Sequence, residues 1–253
     1  MIKLSIITVT YKDLLGLEDT FKSIKTCLTE EVEWIVVNGN PNDKSDKFLM
    51  QISENSKKVS IISELDNGIY DAMNKGLKLA KGEMIWFLNS GDICLLQREE
   101  LENIIYSKYF NEADILKFSA EINNKIHMEK ISFFFLIFNT PNHQSLMVRK
   151  SIHDNFDTNL ALAADYHNFY KIFLNSKLLI RYIEKPLIKY ELTGKTALKE
   201  NKNIIRIERM RAVLKLACIN KINLIPWITL FIQLLFYTPY LLFPGLNIKR
   251  FRN

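Results

Sequence analysis

Polar side chains are concentrated in one stretch of the chain, SELDNGIYDAMNKGLKLAKGEMIWFLNSGD at residues 63–92. Asp66 and Asn74 lie near the start of an amphipathic segment, and Asp92 ends the motif NSGD. Carboxylate and amide oxygens accept hydrogen bonds from the hydroxyl and N–H groups of a polar ligand. These residue types therefore predict a polar ligand site in this stretch.

A helix and a buried strand are expected to position these groups. Apolar residues recur at helical spacing from Ile69 to Ala80, which predicts an amphipathic helix that Gly82 ends. Residues 84–88 form a continuous apolar run of strand length, typical of a central strand in a covered parallel sheet. Open α/β sheets bind ligands at the carboxyl ends of their strands, so the NSGD motif is expected at that edge.

Strand and helix patterns alternate through the N-terminal half of the chain. Strands are predicted over residues 3–10, 33–37 and 59–62, with amphipathic segments between them. This alternation indicates a parallel sheet with right-handed crossovers. The chain contains neither the dinucleotide fingerprint GxGxxG nor a P-loop sequence. A phosphate-bearing ligand would therefore be held by a metal ion, by helix N-termini and by side chains.

Composition limits the class of partner. The chain has 253 residues, enough for a buried core, and carries a net charge of +6 from 34 Lys and Arg against 28 Asp and Glu. This modest excess fits a nucleotide diphosphate, a lipid phosphate or an anionic membrane surface, and is too diffuse for nucleic acid. Three scattered cysteines and an N-terminus without a secretory signal pattern predict a reducing, cytoplasmic location.

The wording SExDxGIYDAMNKG and the strand-terminal NSGD resemble the inverting glycosyltransferases of family 2, in the branch that builds bacterial polysaccharides. The resemblance covers the N-terminal half and continues beyond it. It implies a GT-A fold, a Rossmann-like, mostly parallel sheet flanked by helices. It also implies transfer from a nucleoside-diphosphate sugar, expected to be UDP-linked, to a lipid-linked or growing saccharide in O-antigen, capsule or exopolysaccharide synthesis.

The resemblance also implies a metal ion and a catalytic base. In the family a D-x-D-like motif holds the divalent cation, Mg²⁺ or Mn²⁺, that bridges the donor diphosphate. Here Asn89 stands at the usual first Asp and Gly91 at the third position, which leaves Asp92 as the metal ligand. The family's base matches Asp165 in the sequence ADY, where a carboxylate at a helix start also caps the helix and is kept ionised by its dipole.

Further residues match family positions that contact the donor or the acceptor. The expected donor contacts are Thr8, Thr10, Tyr11, Asn38, Asp66, Asn74, Ser90 and Lys195. His143 and Gln144 are expected beside the donor or the acceptor. For three of these residues a structural role stays open: a turn for Asn38, a solvated loop for Lys195 and a satisfied structural imidazole for His143.

Residues 1–194 are predicted to form the catalytic domain, with 1–92 on the donor side and 93–194 on the acceptor side, and residues 195–253 to form a membrane-associating tail. Residues 195–215 read as a basic amphipathic helix, and no charged residue lies between Lys221 and Lys249. This apolar run contains three prolines, which favours a helical hairpin or interfacial anchor over a membrane span. The protein is thus expected to be peripheral or monotopic at the inner face of the cell membrane.

Several alternatives remain at this level. The run ISFFFLIF, residues 131–138, is either a buried core segment or a lipid-facing patch beside the site. A nucleotidyltransferase would also use an α/β sheet and a metal carboxylate, but would be expected to carry a glycine-rich phosphate loop near its first strand. A non-catalytic membrane adaptor with a degenerate metal motif is the second alternative.

Overall fold

A computed structural model describes residues 1–175, 177–190, 201–219 and 223–242. Within these ranges, nine strands belong to one sheet. The strands are β1 (Leu4–Thr10), β2 (Val32–Asn38), β3 (Val59–Ser63), β4 (Met84–Phe87), β5 (Ile93–Cys94), β6 (Ile115–Ile122), β7 (Lys125–His127), β8 (Leu146–Arg149) and β9 (Ile180–Tyr190). The helices are α1 (Leu14–Ile24), α2 (Lys44–Asn55), α3 (Ile69–Leu79), α4 (Arg98–Ile105), α5 (Lys108–Glu112), α6 (Phe133–Phe138), α7 (Ala164–Asn175), α8 (Lys202–Ile219) and α9 (Leu224–Leu242).

The sheet has a parallel half and a mixed half. Its order is β3-β2-β1-β4-β8-β6-β9-β5, and β7 forms a hairpin with β6. The first four strands are parallel, β8 is antiparallel to both β4 and β6, and β9 is parallel to β6. The predicted α/β class and the mostly parallel sheet flanked by helices are confirmed.

The centre of the sheet is covered on both faces. All seven residues of β1 and all seven of β2 are buried. One face packs a cluster around Trp34, Trp86 and Leu17 from α1, and the other packs Met73 from α3 with Tyr166 from α7. Two covered faces explain why these strands read as apolar runs and not as alternating patterns.

Gly82 has a different role from the one predicted. Helix α3 ends at Leu79, with Ala80 as its C-cap, before Gly82 is reached. A Cβ atom at Gly82 would lie 2.5 Å from Ser5 N, and the Gly82 N–H donates to Ser5 Oγ at 2.8 Å. A glycine is needed here because the chain runs against β1 as it enters β4.

The C-terminal helices α8 and α9 pack together and against the domain. Thr229 and Gln233 of α9 are fully buried, and Thr229 pairs with the Tyr170 hydroxyl. Helix α9 runs through Pro226, which lies in its first turn, where a missing N–H is tolerated. No helix in the described part of the chain combines the length and apolarity needed to cross a membrane.

Candidate active site at the carboxyl edge of the sheet

Parallel strands place their carboxyl ends side by side. Thr10 at the end of β1 pairs with Asn38 at the end of β2. After β4, the Ser90 N–H donates to Val9 O of β1 at 3.2 Å. The NSGD motif therefore lies beside the ends of β1 and β2, at the edge where an open α/β sheet binds ligands.

Thr8 lies inside the sheet and not at its edge. Its side chain is fully buried, and Oγ1 donates to Leu88 O at 2.7 Å and accepts from Trp34 Nε1 at 2.8 Å. Because the hydroxyl has two partners inside the protein, Thr8 braces β1 against its neighbours. We therefore remove it from the expected donor contacts.

Thr10 and Tyr11 lie closer to solvent at the same strand end. Thr10 remains buried, while Tyr11 is exposed and its ring lies 5.1 Å from Lys12 Nζ. Lys12 adopts φ +56°, a left-handed turn that directs the chain from β1 into α1. Of the two residues expected to contact the donor sugar nucleotide here, Tyr11 is the one whose side chain is exposed.

A cavity of about 240 Å³ opens between the ends of β1 and β2. Its lining residues are Lys12, Leu14, Asn40, Asp43, Lys44 and Ser45. Asn38 is fully buried beneath this loop: its Nδ2 donates to Asp46 Oδ1 at 2.8 Å, and its Oδ1 accepts from Asn40 N at 3.1 Å. Asn38 therefore holds the loop that lines the cavity and does not line the cavity itself. This is the structural turn role that the sequence left open for Asn38.

Asp66 and Asn74 have different surroundings. The Asp66 carboxylate caps the Gly68 N–H at 2.9 Å, and a Cβ atom at Gly39 would lie 1.7 Å from Asp66 Oδ2. Asp66 thus lies directly against the residue that follows β2. The Asn74 amide instead donates to Phe156 O at 2.9 Å and accepts from Phe156 N at 2.7 Å, so it holds a neighbouring loop.

The NSGD loop is fixed from below by α1. Ser90 Oγ donates to Asp13 Oδ2 at 2.8 Å. Thr20 Oγ1 donates to Asp92 O at 2.9 Å and accepts from Gly91 N at 3.0 Å. The sequence analysis missed Thr20, although a hydroxyl within the apolar stripe of a helix was a signal. These contacts give the loop a defined shape.

Two oxygen atoms of the loop are suited to a cation. Asp92 is only 8% exposed, and its Oδ2 and the Oδ1 of Asn89 are buried with no protein partner. Burial raises the pKa of Asp92 to about 6, although His143 and the Gln144 amide act in the opposite direction. Unpaired buried oxygens of this type fit Mg²⁺ or Mn²⁺. Among the described residues no group of three or more His, Cys, Asp or Glu could complete a protein-only site, so a ligand or water would supply further oxygens.

Asp165 lies in the first turn of α7, next to His143 and to the buried Tyr70. Its Oδ1 accepts from the Tyr70 hydroxyl at 3.0 Å and from the Tyr166 N–H at 2.8 Å. Its Oδ2 lies 3.7 Å from His143 Nδ1, and His143 Nε2 lies 3.3 Å from Asn89 Nδ2. His143 therefore connects the candidate base to the NSGD loop.

The Tyr70 hydroxyl keeps its proton because burial, together with the negative charge of Asp165, raises the pKa of Tyr70 well above its usual value. It therefore acts as a donor that fixes Oδ1 and leaves Oδ2 for chemistry. The sequence analysis treated the region around Tyr70 only as a motif. Its partner is 95 positions away, so local spacing could not reveal this contact.

The turn His143–Ser145, which carries His143 and Gln144, rests on an ion pair whose lysine is buried and whose glutamate is partly exposed. Lys117 of β6 is fully buried, and its Nζ lies 3.0 Å from Glu129 Oε2 and contacts Ser145 Oγ. Glu129 Oε2 also accepts from Asn142 N at 3.0 Å. Burial lowers the pKa of Lys117, partly offset by Glu129. A lysine inside an apolar strand pattern was the signal that sequence reasoning passed over.

Gln144 contributes to the site in two ways. Its backbone carbonyl accepts from Trp86 Nε1 at 2.7 Å, which ties the turn to β4. Its side-chain amide acts to lower the pKa of Asp92, against the larger effect of burial. The expected donor contact Lys195 lies outside the described residues.

Comparison with known proteins identifies the family. A family model described as "Glycosyl transferase family 2" matches residues 5–158, more than half of the chain. The chain belongs to glycosyl transferase family 2. The matched range contains the carboxyl ends of β1, β2 and β4, the NSGD loop and the His143–Ser145 turn.

Two relatives of this chain are described as uncharacterized glycosyltransferases. One, from Mycobacterium tuberculosis, is 37% identical over 89 residues, 35% of this chain and 33% of the relative. The match thus spans a third of the length of that protein. The other, from Methanocaldococcus jannaschii, is 26% identical over 210 residues, 76% of this chain and 71% of the relative.

Solved structures show that this family 2 chain has the GT-A fold. S. aureus TarS, residues 1–349, superposes with a TM-score of 0.66 at 16% identity, covering 97% of this chain and 76% of that chain. TarS in complex with UDP-GlcNAc gives 0.66 at 17%, covering 84% and 67%. The mannosyltransferase PcManGT from Pyrobaculum calidifontis, in complex with GDP-Man and Mn²⁺, gives 0.57 at 16%, covering 84% and 63%.

Proposed function

We propose that this protein is an inverting glycosyltransferase that uses a UDP-linked sugar as donor. The observation that carries the proposal is the arrangement of Asp165, whose Oδ1 is fixed by two donors while Oδ2 lies 3.7 Å from His143, which in turn contacts Asn89 of the NSGD loop. A base held in this way, and connected through His143 to a loop with two unpaired buried oxygens, suits displacement at the anomeric carbon of a sugar diphosphate. The structural neighbour TarS in complex with UDP-GlcNAc supports the class of donor.

The reaction is a single displacement. Asp165 Oδ2 accepts the proton of the acceptor hydroxyl while the hydroxyl oxygen attacks the anomeric carbon from the face opposite the diphosphate. The new bond joins that oxygen to the anomeric carbon, and the bond from the anomeric carbon to the diphosphate oxygen breaks. The diphosphate leaves with its electron pair. Tyr70 orients the carboxylate throughout.

The donor diphosphate is assigned to the NSGD loop and the UDP base to the neighbouring cavity. Asp92 and Asn89 would hold a divalent cation, which supplies Lewis-acid stabilisation of charge on the leaving diphosphate. In the cavity, Lys12 and Lys44 provide positive charge, and Asp43 and Asn40 offer acceptors for the base or ribose. The structural neighbour PcManGT, in complex with GDP-Man and Mn²⁺, supports the use of a divalent metal.

The acceptor is proposed to be a lipid-linked saccharide at an anionic membrane surface. Helix α9 has the opposite polarity pattern to a surface helix of a soluble protein. Its buried stripe includes the polar residues Thr229 and Gln233, while large apolar side chains are exposed. The exposed set is Leu224, Ile225, Trp227, Ile228, Phe231, Leu234, Leu235 and Phe236. An apolar face of this kind beside a basic helix is typical of interfacial membrane binding.

Helix α6 extends this apolar surface. Leu136 and Ile137 are buried, whereas Phe134 is 79% exposed, so the run 131–138 is buried in part and exposed in part. Phe138 of α6 packs edge-to-face on Phe236 of α9, with ring centroids 5.4 Å apart. A lipid-bound acceptor at this surface would approach the protein on the side that carries α7 and its base.

The proposal is tested by incubating the purified full chain with a panel of nucleotide sugars and a lipid-linked saccharide extract, with and without Mn²⁺. The expected result is release of UDP from one UDP-sugar, together with transfer of labelled sugar to the lipid fraction. Calorimetry should show UDP binding in the presence of Mn²⁺. Release of inorganic diphosphate from a nucleoside triphosphate would instead indicate a nucleotidyltransferase. UDP binding without transfer to any acceptor would support the adaptor alternative.

A further inference from the structure

Helix α8 contains a buried carboxylate within an otherwise basic sequence. Glu208 is 7% exposed, and its two oxygens accept from consecutive backbone amides, Ala161 N at 2.9 Å and Leu162 N at 2.7 Å. These amides belong to the segment that leads into α7. A carboxylate that receives two N–H groups forms strong, charge-assisted hydrogen bonds. Glu208 therefore fixes the backbone three to four positions before the candidate base Asp165.

The adjacent residue, Arg209, reaches a second segment. Its Nη2 donates to Thr140 Oγ1 at 3.0 Å, and its Nη1 donates to Phe138 O. Its guanidinium also lies 5.4 Å from the centre of the Tyr166 ring. Thr140 precedes His143 by three positions. One turn of α8 thus holds both the segment before Asp165 and the segment before His143.

Helix α9 holds the same two segments at another point. Gln233 is fully buried, and its Nε2 donates to Ile137 O at 2.7 Å and to the Tyr166 hydroxyl at 3.0 Å. The base side of the site is therefore tied to the C-terminal helices by side chains that include Glu208, Arg209 and Gln233. This region had been predicted to be a tail separate from the catalytic domain.

We propose that Glu208 and Arg209 are positioning residues for glycosyl transfer. They set the approach of the Asp165 carboxylate to His143, which are 3.7 Å apart, by holding the two segments that carry these side chains. The inference rests on the proposed function, since it assigns a task to residues that support its base. Helix α8 is then part of the catalytic unit and does more than join that unit to a membrane anchor.

A positioning role predicts a specific kinetic signature. Glu208→Gln replaces one acceptor oxygen with an NH₂ group, which then faces a backbone N–H that is also a donor. The segment before Asp165 is expected to shift to separate the two donors. We expect kcat to fall by roughly 10- to 100-fold, the effect of losing a hydrogen bond to a charged group, while the KM for the UDP-sugar and the Kd for UDP stay within about twofold. Arg211→Gln, at an exposed position of the same helix, is the matched control and should retain full turnover.

A double-mutant cycle separates positioning from general support of the fold. If Glu208 acts through Asp165, adding Glu208→Gln to Asp165→Asn should not lower the residual rate further. Fully additive losses, or a parallel loss of UDP affinity, would overturn the inference. Unchanged kcat in Glu208→Gln would overturn it as well.

A milder variant keeps the test available if Glu208→Gln does not fold. Thr140→Val removes the partner of Arg209 Nη2 without disturbing a buried charge, and it should lower kcat by about 3- to 10-fold with the same KM. Wild-type turnover in Thr140→Val would contradict the role of Arg209. Failure of the wild-type chain to transfer sugar from any donor would instead refute the proposed function, so the two failures can be told apart.

Discussion

The two sides of the candidate site are built differently. On the donor side, the contacts that shape the cavity are local: Asn38 bonds Asp46 eight positions away. On the base side, Asp165 is held by Tyr70, 95 positions away, and the segment before it by Glu208, 47 positions beyond Ala161. The donor side thus depends on contacts within the first half of the chain, including those of Asp13 and Thr20 with the NSGD loop, whereas the base side joins both halves.

This difference predicts where distant changes should act. Substitution of Glu208 or Arg209 in α8, or of Lys117 in β6, should alter turnover and leave nucleotide binding intact, because the donor cavity depends on neither element. Substitutions in the NSGD loop should instead have their main effect on the affinity for the diphosphate. The following predictions test this division, from the largest expected effect to the smallest.

Asp165→Asn should lower turnover by ~10²–10⁴ while leaving UDP binding almost unchanged, because the amide cannot accept the acceptor proton. Turnover is measured by UDP release and binding by calorimetry. Asp19→Asn, on the exposed side of α1, is the matched control and should behave as wild type. Wild-type turnover in Asp165→Asn would assign the base to another group.

Asp92→Ala should abolish the part of UDP binding that depends on Mn²⁺, since Asn89 alone is a weak ligand. The pKa of Asp92 is raised to about 6 by burial, so protons compete with the metal in weakly acidic solution. In wild type, Mn²⁺ affinity should fall about tenfold per pH unit below pH ~6 and level off above it. If neither Asp92→Ala nor a chelator changes the affinity for UDP, the leaving group is stabilised without metal.

Tyr70→Phe should lower kcat by about tenfold with UDP affinity preserved, because it removes one of the two donors that fix Asp165 Oδ1. Phe156→Leu is a useful control, because it perturbs the ring that packs on Tyr70 without removing the hydroxyl. If both variants lose activity equally, the contribution of Tyr70 to kcat comes from its packing and not from its hydrogen bond to Asp165.

Lys117→Met should reduce the free energy of unfolding by ~1–3 kcal/mol, measured by urea denaturation. The substitution leaves Glu129 without its partner, and the loss is limited because Glu129 is partly exposed. Adding Glu129→Gln should recover much of the loss. A double variant less stable than the sum of the single ones would mean that Lys117 stabilises the turn by another route.

Phe231→Glu with Leu235→Glu should weaken binding to anionic vesicles, while turnover on a water-soluble acceptor stays at the wild-type level. Both side chains are exposed on α9, and burying each in a membrane would contribute ~1.5–3 kcal/mol. Met50→Glu, at an exposed position of α2, controls for added charge. This surface variant is preferable to deleting residues 222–253, which would also remove the buried Gln233. Equal sedimentation of wild type and variant with vesicles would exclude α9 as the membrane contact.

Sequence reasoning succeeded where one element decides a position. The run before NSGD indicated a central strand, and its place in the sheet brought Asp92 to the ligand edge. Thr8 was misplaced because β1 is covered on both faces, so that even a residue near its end points into the core. Such burial depends on the helices that pack on the sheet.

Other features could not be seen in a linear pattern. Glu208 reads as one of the few acidic residues in a basic helix, and only the packing of α8 on the segment before α7 reveals its two backbone partners. Lys117 reads as an interruption of a strand until Glu129 and Ser145 are placed around it. These residues join distant parts of the chain, which explains why the base side was less predictable than the donor side.

The stereochemistry of the product tests the central claim most directly. The single displacement assigned to Asp165 requires attack from the face opposite the diphosphate, so the anomeric configuration must change once. Proton NMR of the first product formed from an accepted UDP-sugar should show the configuration opposite to that of the donor. A product that retains the donor configuration would contradict this mechanism and the assignment of Asp165 as its base.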